Sequence, residues 1–332
     1  MRVVITSPSR IHLSLIDLNG ALGRIDGGIG FGLSKPNIIV ELTDEVQSKD
    51  RIIIQSNEEF KPLVENIIRD FEKAYHVQFD RLKIEVLSMY KPHIGLGSKT
   101  QLLLSVAKGL CVLKNIDCSA YELCKLVKRG GTSGIGYSVF EQGGFILDAG
   151  HSFGQTKEKQ TFLPSSASNA PPALTLLRYE LPQSWKVLLI TLNVPSEAYD
   201  KEEINIFQKY CPIPLEDVRE ICHIILVKVL PSILTKNLDE FCSGVQAIQK
   251  IGFKKIEISL VHPKVQELID YSLQIGAKCA VLSSFGPTVA IIEENSQKIT
   301  ELVEKIRDRF KHYEPAISLS EINNEGVKIE KK

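Results

Sequence analysis

The sequence lacks an excess of charge of either sign: Lys and Arg together number 40, and so do Asp and Glu. That balance excludes the broad electrostatic field of a nucleic-acid or acidic-membrane binder, while leaving room for one basic cleft. Paired cysteines are also missing. The seven cysteines, at 111, 118, 124, 211, 222, 242 and 279, include no C-x-x-C. Their scatter excludes a disulfide framework and the usual zinc signatures, and it points to reduced thiols and a cytoplasmic location. No uncharged apolar run reaches the roughly 20 residues that cross a bilayer. The opening MRVVITSPSR lacks the apolar core of a secretory leader. No internal repeat is visible. These absences describe a soluble protein with no nucleic-acid or membrane partner.

What is present is an ordinary globular composition, 43% hydrophobic and 24% charged over 332 residues, enough for about two domains. Residues 2–6, 11–16, 37–42, 52–55, 82–87 and 145–148 are short, apolar and β-rich, and read as strands. Leu63, Ile67, Phe71 and Tyr75 recur every fourth residue, the spacing of an amphipathic helix. The apolar stretch 101–113 reads as a buried helix. In the second half, strands are expected at 186–192, 279–283 and 289–292. Helices are expected at 217–229, 238–248, 265–273 and 299–310. Residues 164–172, PSSASNAPP, break this order and suggest a surface connection near a domain boundary. The charged C-terminal GVKIEKK is expected to fray. The pattern is that of an α+β protein.

Three polar clusters carry the chemistry. The segment Gly95-Leu-Gly-Ser-Lys-Thr100 lies between an expected strand and an expected helix. There, glycines let the backbone approach an anion and the N–H groups of the helix start point at it. The hydroxyls of Ser98 and Thr100 can take phosphate oxygens or Mg²⁺, and Lys99 adds a full charge. The spacing is not that of a Walker loop. The second cluster is Ser9, Arg10 and His12, with Arg24 and Asp26 following before paired glycines. Arg10 and His12 alternate with Ile11 and so share a strand face. The third cluster runs from Arg129 through Gly130, Gly131, Thr132 and Ser133 to Gly136, then on to Asp148 and His151. Its glycines can expose a nest of backbone donors. A turn at 283–288, with Ser284 and Gly286, joins two expected strands.

GLGS before a helix, SPSRIHL near the start and SSFGPT near the end resemble the three motifs of the GHMP kinase superfamily. That resemblance implies a ribosomal-S5-like N-terminal domain over 1–165, carrying a nucleotide- or ATP-type phosphate loop. It implies a ferredoxin-like α/β sandwich over 180–325, with the site between the two. SRIHLSLIDLNG, GRIDGGIG, GLGSKTQL and RGGTSGIG with GGFILDAGHSF more closely resemble the β-ribofuranosylaminobenzene 5′-phosphate synthases. Members of that family join phosphoribosyl pyrophosphate to a 4-substituted benzoate, releasing CO₂ and pyrophosphate, on the way to methanopterin-type cofactors in archaea and some methylotrophic bacteria.

The resemblance implies catalytic roles for Arg24, Asp26, Asp148 and His151. Residues 95–100 would bind phosphate. Ser9, Arg10, His12, residues 129–133, Ser284 and Gly286 would bind substrate. Mg²⁺ would sit at Ser98 and Asp26, and a homodimer is the expected assembly. The chain departs from the kinases at Gly136, where S-G-[IV]-D supplies their catalytic aspartate, and at Lys99, where a small residue is usual. An ATP-dependent small-molecule kinase and a non-catalytic metabolite binder are the alternatives.

Overall fold

The computed structural model describes residues 1–195 and 200–332. Its first sheet is built on a long antiparallel pair, β1 (Arg2–Asp17) and β2 (Arg24–Thr43). The serine- and proline-containing segment 7–10 does not interrupt β1. A register shift between Ser7 and Ser9 absorbs the irregularity, so the two short strands expected here are one bent strand. Strands β3 (Ile52–Gln55) and β4 (Leu82–Ser88) extend the sheet beyond β2, and β5 (Phe145–Asp148), β6 (His151–Ser152) and β7 (Thr175–Tyr179) build its other arm. Four helices belong with this sheet: α1 (Lys61–Tyr75), α2 (Ser98–Leu113), α3 (Ala120–Leu126) and α4 (Ile135–Gln142). On α1, Val64, Ile67, Ile68 and Phe71 form the buried stripe that the fourfold spacing implied.

The second sheet has the order β11–β8–β10–β9, with β8 (Lys186–Thr191), β9 (Val281–Leu282), β10 (Thr288–Glu293) and β11 (Ala316–Glu321) all antiparallel. Both faces of β8 are covered. Val187 and Leu189 join a core that reaches Trp185 and Phe241, whereas Leu188 and Ile190 join another with Leu268, Leu302 and Phe310. That is why this strand reads as an unbroken apolar run. Around it lie α5 (Asp200–Tyr210), α6 (Leu215–Ile224), α7 (Leu230–Leu234), α8 (Leu238–Ile248), α9 (Gly252–Leu260), α10 (Pro263–Gln274) and α11 (Ser296–Arg309). A π-helical turn links α6 to α7.

Two expectations are corrected. The 164–172 segment is not a boundary, because β7 beyond it pairs with β5 inside the first sheet. The segment itself packs on the glycines of the third cluster: a Cβ on Gly131 would meet Ser168, and one on Gly130 would meet Pro172. The C-terminus does not fray, because β12 (Lys328–Lys331) pairs antiparallel with β1. A first unit ending at 165 therefore omits two of its own strands. The glycines of the third cluster lead directly into α4, which begins at Ile135.

Candidate active site

A cavity of about 440 Å³ opens where the first sheet meets α5, α9 and the turn between β9 and β10. Its floor is the loop before α2. Gly95 (φ +89°) and Gly97 (φ +81°) adopt backbone conformations that side chains disfavour, and the space forbids side chains as well. A Cβ on Gly95 would sit 2.1 Å from the Ser283 carbonyl oxygen, and one on Gly97 would meet Arg10 at 3.3 Å. Gly97 caps α2 without a side-chain hydrogen bond. With no capping side chain there, the first turn of α2 can present backbone N–H groups to an anion.

Arg10 locks this loop to β1. Its backbone N–H donates to the Leu96 carbonyl at 3.2 Å, and its Nη1 donates to the Gly95 carbonyl at 2.5 Å. Burial pushes its guanidinium down to about 10, which keeps it cationic at neutral pH. Arg129 donates from Nε to Thr100 Oγ1 at 3.1 Å and lines the same cavity, as does Lys99. Two arginines, a lysine and a helix N-terminus thus converge on one space.

The second sheet's turn completes the wall. Ser283 Oγ donates to the Gly95 carbonyl at 2.7 Å and accepts from the His12 N–H at 3.1 Å, while the Ser284 N–H donates to the His12 carbonyl at 3.3 Å. Ser284 and Gly286 both line the cavity. His12 lines it too, with Nδ1 buried and without a hydrogen-bond partner. Burial, then the charges of Arg10 and Lys254, push its pKa well below the usual histidine value, so the ring is neutral.

Thr132 and Ser133 reach the cavity, but the four residues assigned to catalysis do not line it. Asp26 is fully buried. Its Oδ2 meets His151 Nδ1 at 2.6 Å and Lys159 Nζ at 2.9 Å. Lys159 also donates to the carbonyls of Gly131 and Leu163, both at 3.1 Å, and His151 Nε2 lies 2.8 Å from the Pro171 carbonyl. This knot ties β2 to the segment 159–171 and to Gly131 behind the cavity. Arg24 staples the carbonyls of Ala149 and Gly150 from the surface. Asp148 caps α4 through the Gly134 N–H at 2.9 Å and also holds the Gly150 N–H at 3.0 Å. Burial outweighs those hydrogen bonds and raises its pKa to about 7. Ser9, Gly130 and Gly131 likewise sit behind the wall rather than on it.

For Mg²⁺, the described residues include no cluster of three or more His, Cys, Asp or Glu able to hold a metal. Asp26 does not fit, because it lies behind the cavity wall, with Lys159 and His151 both on its Oδ2. Ser98 fits as a partner to a metal carried in on substrate phosphates, the usual manner for Mg²⁺.

Other wall residues carried no sequence signal. Glu203 and Phe207 come from α5, and Glu257 from α9. Only the periodicity of short, weakly amphipathic helices could have pointed to them.

No family model matches the chain. It is 40% identical to the beta-ribofuranosylphenol 5'-phosphate synthase of Methanocaldococcus jannaschii, covering 98% of this chain and 100% of that one. It is 41% identical to the protein of the same name from Archaeoglobus fulgidus, over 98% of each. Among solved structures, the mevalonate kinase of Methanococcus jannaschii superposes with a TM-score of 0.68 at 17% identity, covering 97% of this chain and 98% of that one. The chain thus has the fold of the GHMP kinases, and by its sequence it belongs to the beta-ribofuranosylphenol 5'-phosphate synthase family of enzymes.

Proposed function

We propose that the protein transfers the ribose 5-phosphate unit of phosphoribosyl pyrophosphate to 4-hydroxybenzoate, releasing pyrophosphate and CO₂, as an early step towards a methanopterin-type cofactor. The phenol in the relatives' name favours the hydroxyl over the amino acceptor. The observation that carries the reading is the pairing of a strongly cationic phosphate floor with Gly136. A Cβ there would lie 3.2 Å from Thr100 Cγ2, so a side chain at 136 would project at the phosphate loop. The kinases of this superfamily use an aspartate in that motif to activate an alcohol; this chain has no carboxylate to offer from that position.

The chemistry asked of the protein is charge management rather than covalent catalysis. Residues 95–100 and Arg129 take the diphosphate, and Mg²⁺, when bound with it, neutralises part of its charge. Arg10 is suited by its fork of donors to hold a phosphate or the aryl carboxylate. The neutral His12 ring can hydrogen-bond the para hydroxyl without adding charge. The ring carbon bearing the carboxylate attacks ribose C1 as pyrophosphate leaves, and loss of CO₂ restores aromaticity.

The test is release of CO₂ from carboxyl-labelled 4-hydroxybenzoate and 4-aminobenzoate, each with phosphoribosyl pyrophosphate and Mg²⁺. Release that needs both substrates and is faster with the hydroxyl acid is the expected result. Folded protein that releases none, yet phosphorylates an alcohol with ATP, would return it to the kinases.

A further inference from the structure

The cavity is not uniformly cationic. Helix α9 places Glu257 on its wall and Lys254 one turn earlier. The two form an ion pair, with side-chain exposure of 0% for Lys254 and 3% for Glu257. Lys254 Nζ also lies 3.4 Å from the Leu282 carbonyl, at the edge of the second sheet. Arg10 feels the charge of both Glu257 and Glu203.

Glu257 helps to keep the buried Arg10 cationic, but neither stability nor anion binding calls for the pair with Lys254. A buried ion pair is commonly no better for stability than apolar residues of the same volume. A carboxylate in an anion-binding cavity repels the anion. What the arrangement does provide is a dipole with its negative end on the cavity and its counter-charge buried alongside. It comes from the second domain and complements the positive floor supplied by the first.

We propose that Glu257 stabilises the positive charge that develops at the ribose C1 during transfer, and that Lys254 is its positioning residue. This rests on the pentosyl-transfer reading. In that step the C1–O bond breaks and its electron pair leaves with pyrophosphate, onto the floor of Lys99, Arg129 and the start of α2. C1 and the ring oxygen then share a positive charge until a π pair from the aryl ring forms the C–C bond. The pair of the ring–carboxylate bond stays with the ring as CO₂ departs. Glu257 exchanges neither proton nor electron and acts through its charge alone.

The proposal is tested without turnover. A cationic iminoribitol 5-phosphate and its neutral tetrahydrofuran counterpart are titrated calorimetrically, with pyrophosphate and Mg²⁺ present, into the wild-type protein, E257Q, K254M and K254R. The wild type should prefer the cation by roughly 100-fold, the scale of one preorganised electrostatic partner. E257Q should lose that preference while binding pyrophosphate at least as tightly, and K254R should recover part of what K254M loses. Equal affinity of the wild type for both analogues overturns the proposal, whether or not the variants fold. So does an unchanged preference in E257Q. Cation preference in a protein that releases no CO₂ would leave the negative pole standing and remove the reaction. Turnover without the preference does the reverse.

Discussion

Gly97 concentrates two demands on one residue: φ of +81° and a guanidinium 3.3 Å from where its Cβ would be. Gly97→Ala should therefore cost stability on the order of 1–2 kcal/mol from the backbone alone. It should also displace Arg10 and lower kcat/KM by roughly 100-fold, the penalty for a misplacement of about 1 Å. Steady-state kinetics beside a thermal melt separates the two effects. Asp148 makes a prediction in pH. Burial raises its folded pKa to about 7 from the ordinary 3.8, so between those values the folded state holds the proton more tightly than the unfolded chain. Its stabilising contribution is full below pH 3.8 and is lost as pH rises through 7. Melting temperature should fall between pH 5 and pH 8 in the wild type, and Asp148→Asn should flatten that slope. The sequence announced both residues, because a glycine before a helix and an aspartate after an apolar strand are local signals. It could not announce that Asp148 turns inward to cap α4, a matter of tertiary packing.

The Asp26–His151–Lys159 knot holds together three chain segments remote in sequence, at residues 26, 131 and 151–171. Lys159→Met leaves the Asp26 carboxylate buried beside a single imidazole and should cost about 3–5 kcal/mol. Its signature is a lower unfolding midpoint in urea, with kcat falling only as far as residues 131–133 loosen. A loss of kcat at unchanged stability would instead place Asp26 in the chemistry. Elements with strong periodicity or β-branched runs, such as α1, β3 and β5, were legible to within a few residues. Helices α5 and α9 were not, because their polar faces turn towards a cavity and blur the contrast on which periodicity depends. For the same reason Lys254 and Glu257 were invisible, being an i,i+3 pair that reads as surface charge in sequence and is buried in the fold.

At the cavity, the turn of the second sheet meets the loop before α2 glycine on glycine. A Cβ on Gly286 would lie 2.2 Å from the Gly95 nitrogen and 2.2 Å from the Ile94 carbonyl carbon. Gly286→Ala should push the 283–286 turn off the phosphate loop, raising KM for the diphosphate substrate by roughly 10-fold or more while the protein stays folded. Near-normal KM would show that the floor holds its shape unaided. The two-part architecture was legible from motif order, whereas the place where the parts divide was not, because β7 and β12 return to the first sheet through long-range pairing. That return has a consequence for biosynthesis. Residues 18–327 lie between β1 and β12, yet β12 covers an edge of β1. A chain emerging N-terminus first at about 5–20 residues per second carries that edge uncovered until residues 328–331 have been made. The growing polypeptide presents an open strand to its neighbours on a polysome, and truncation before residue 328 would make that temporary exposure permanent.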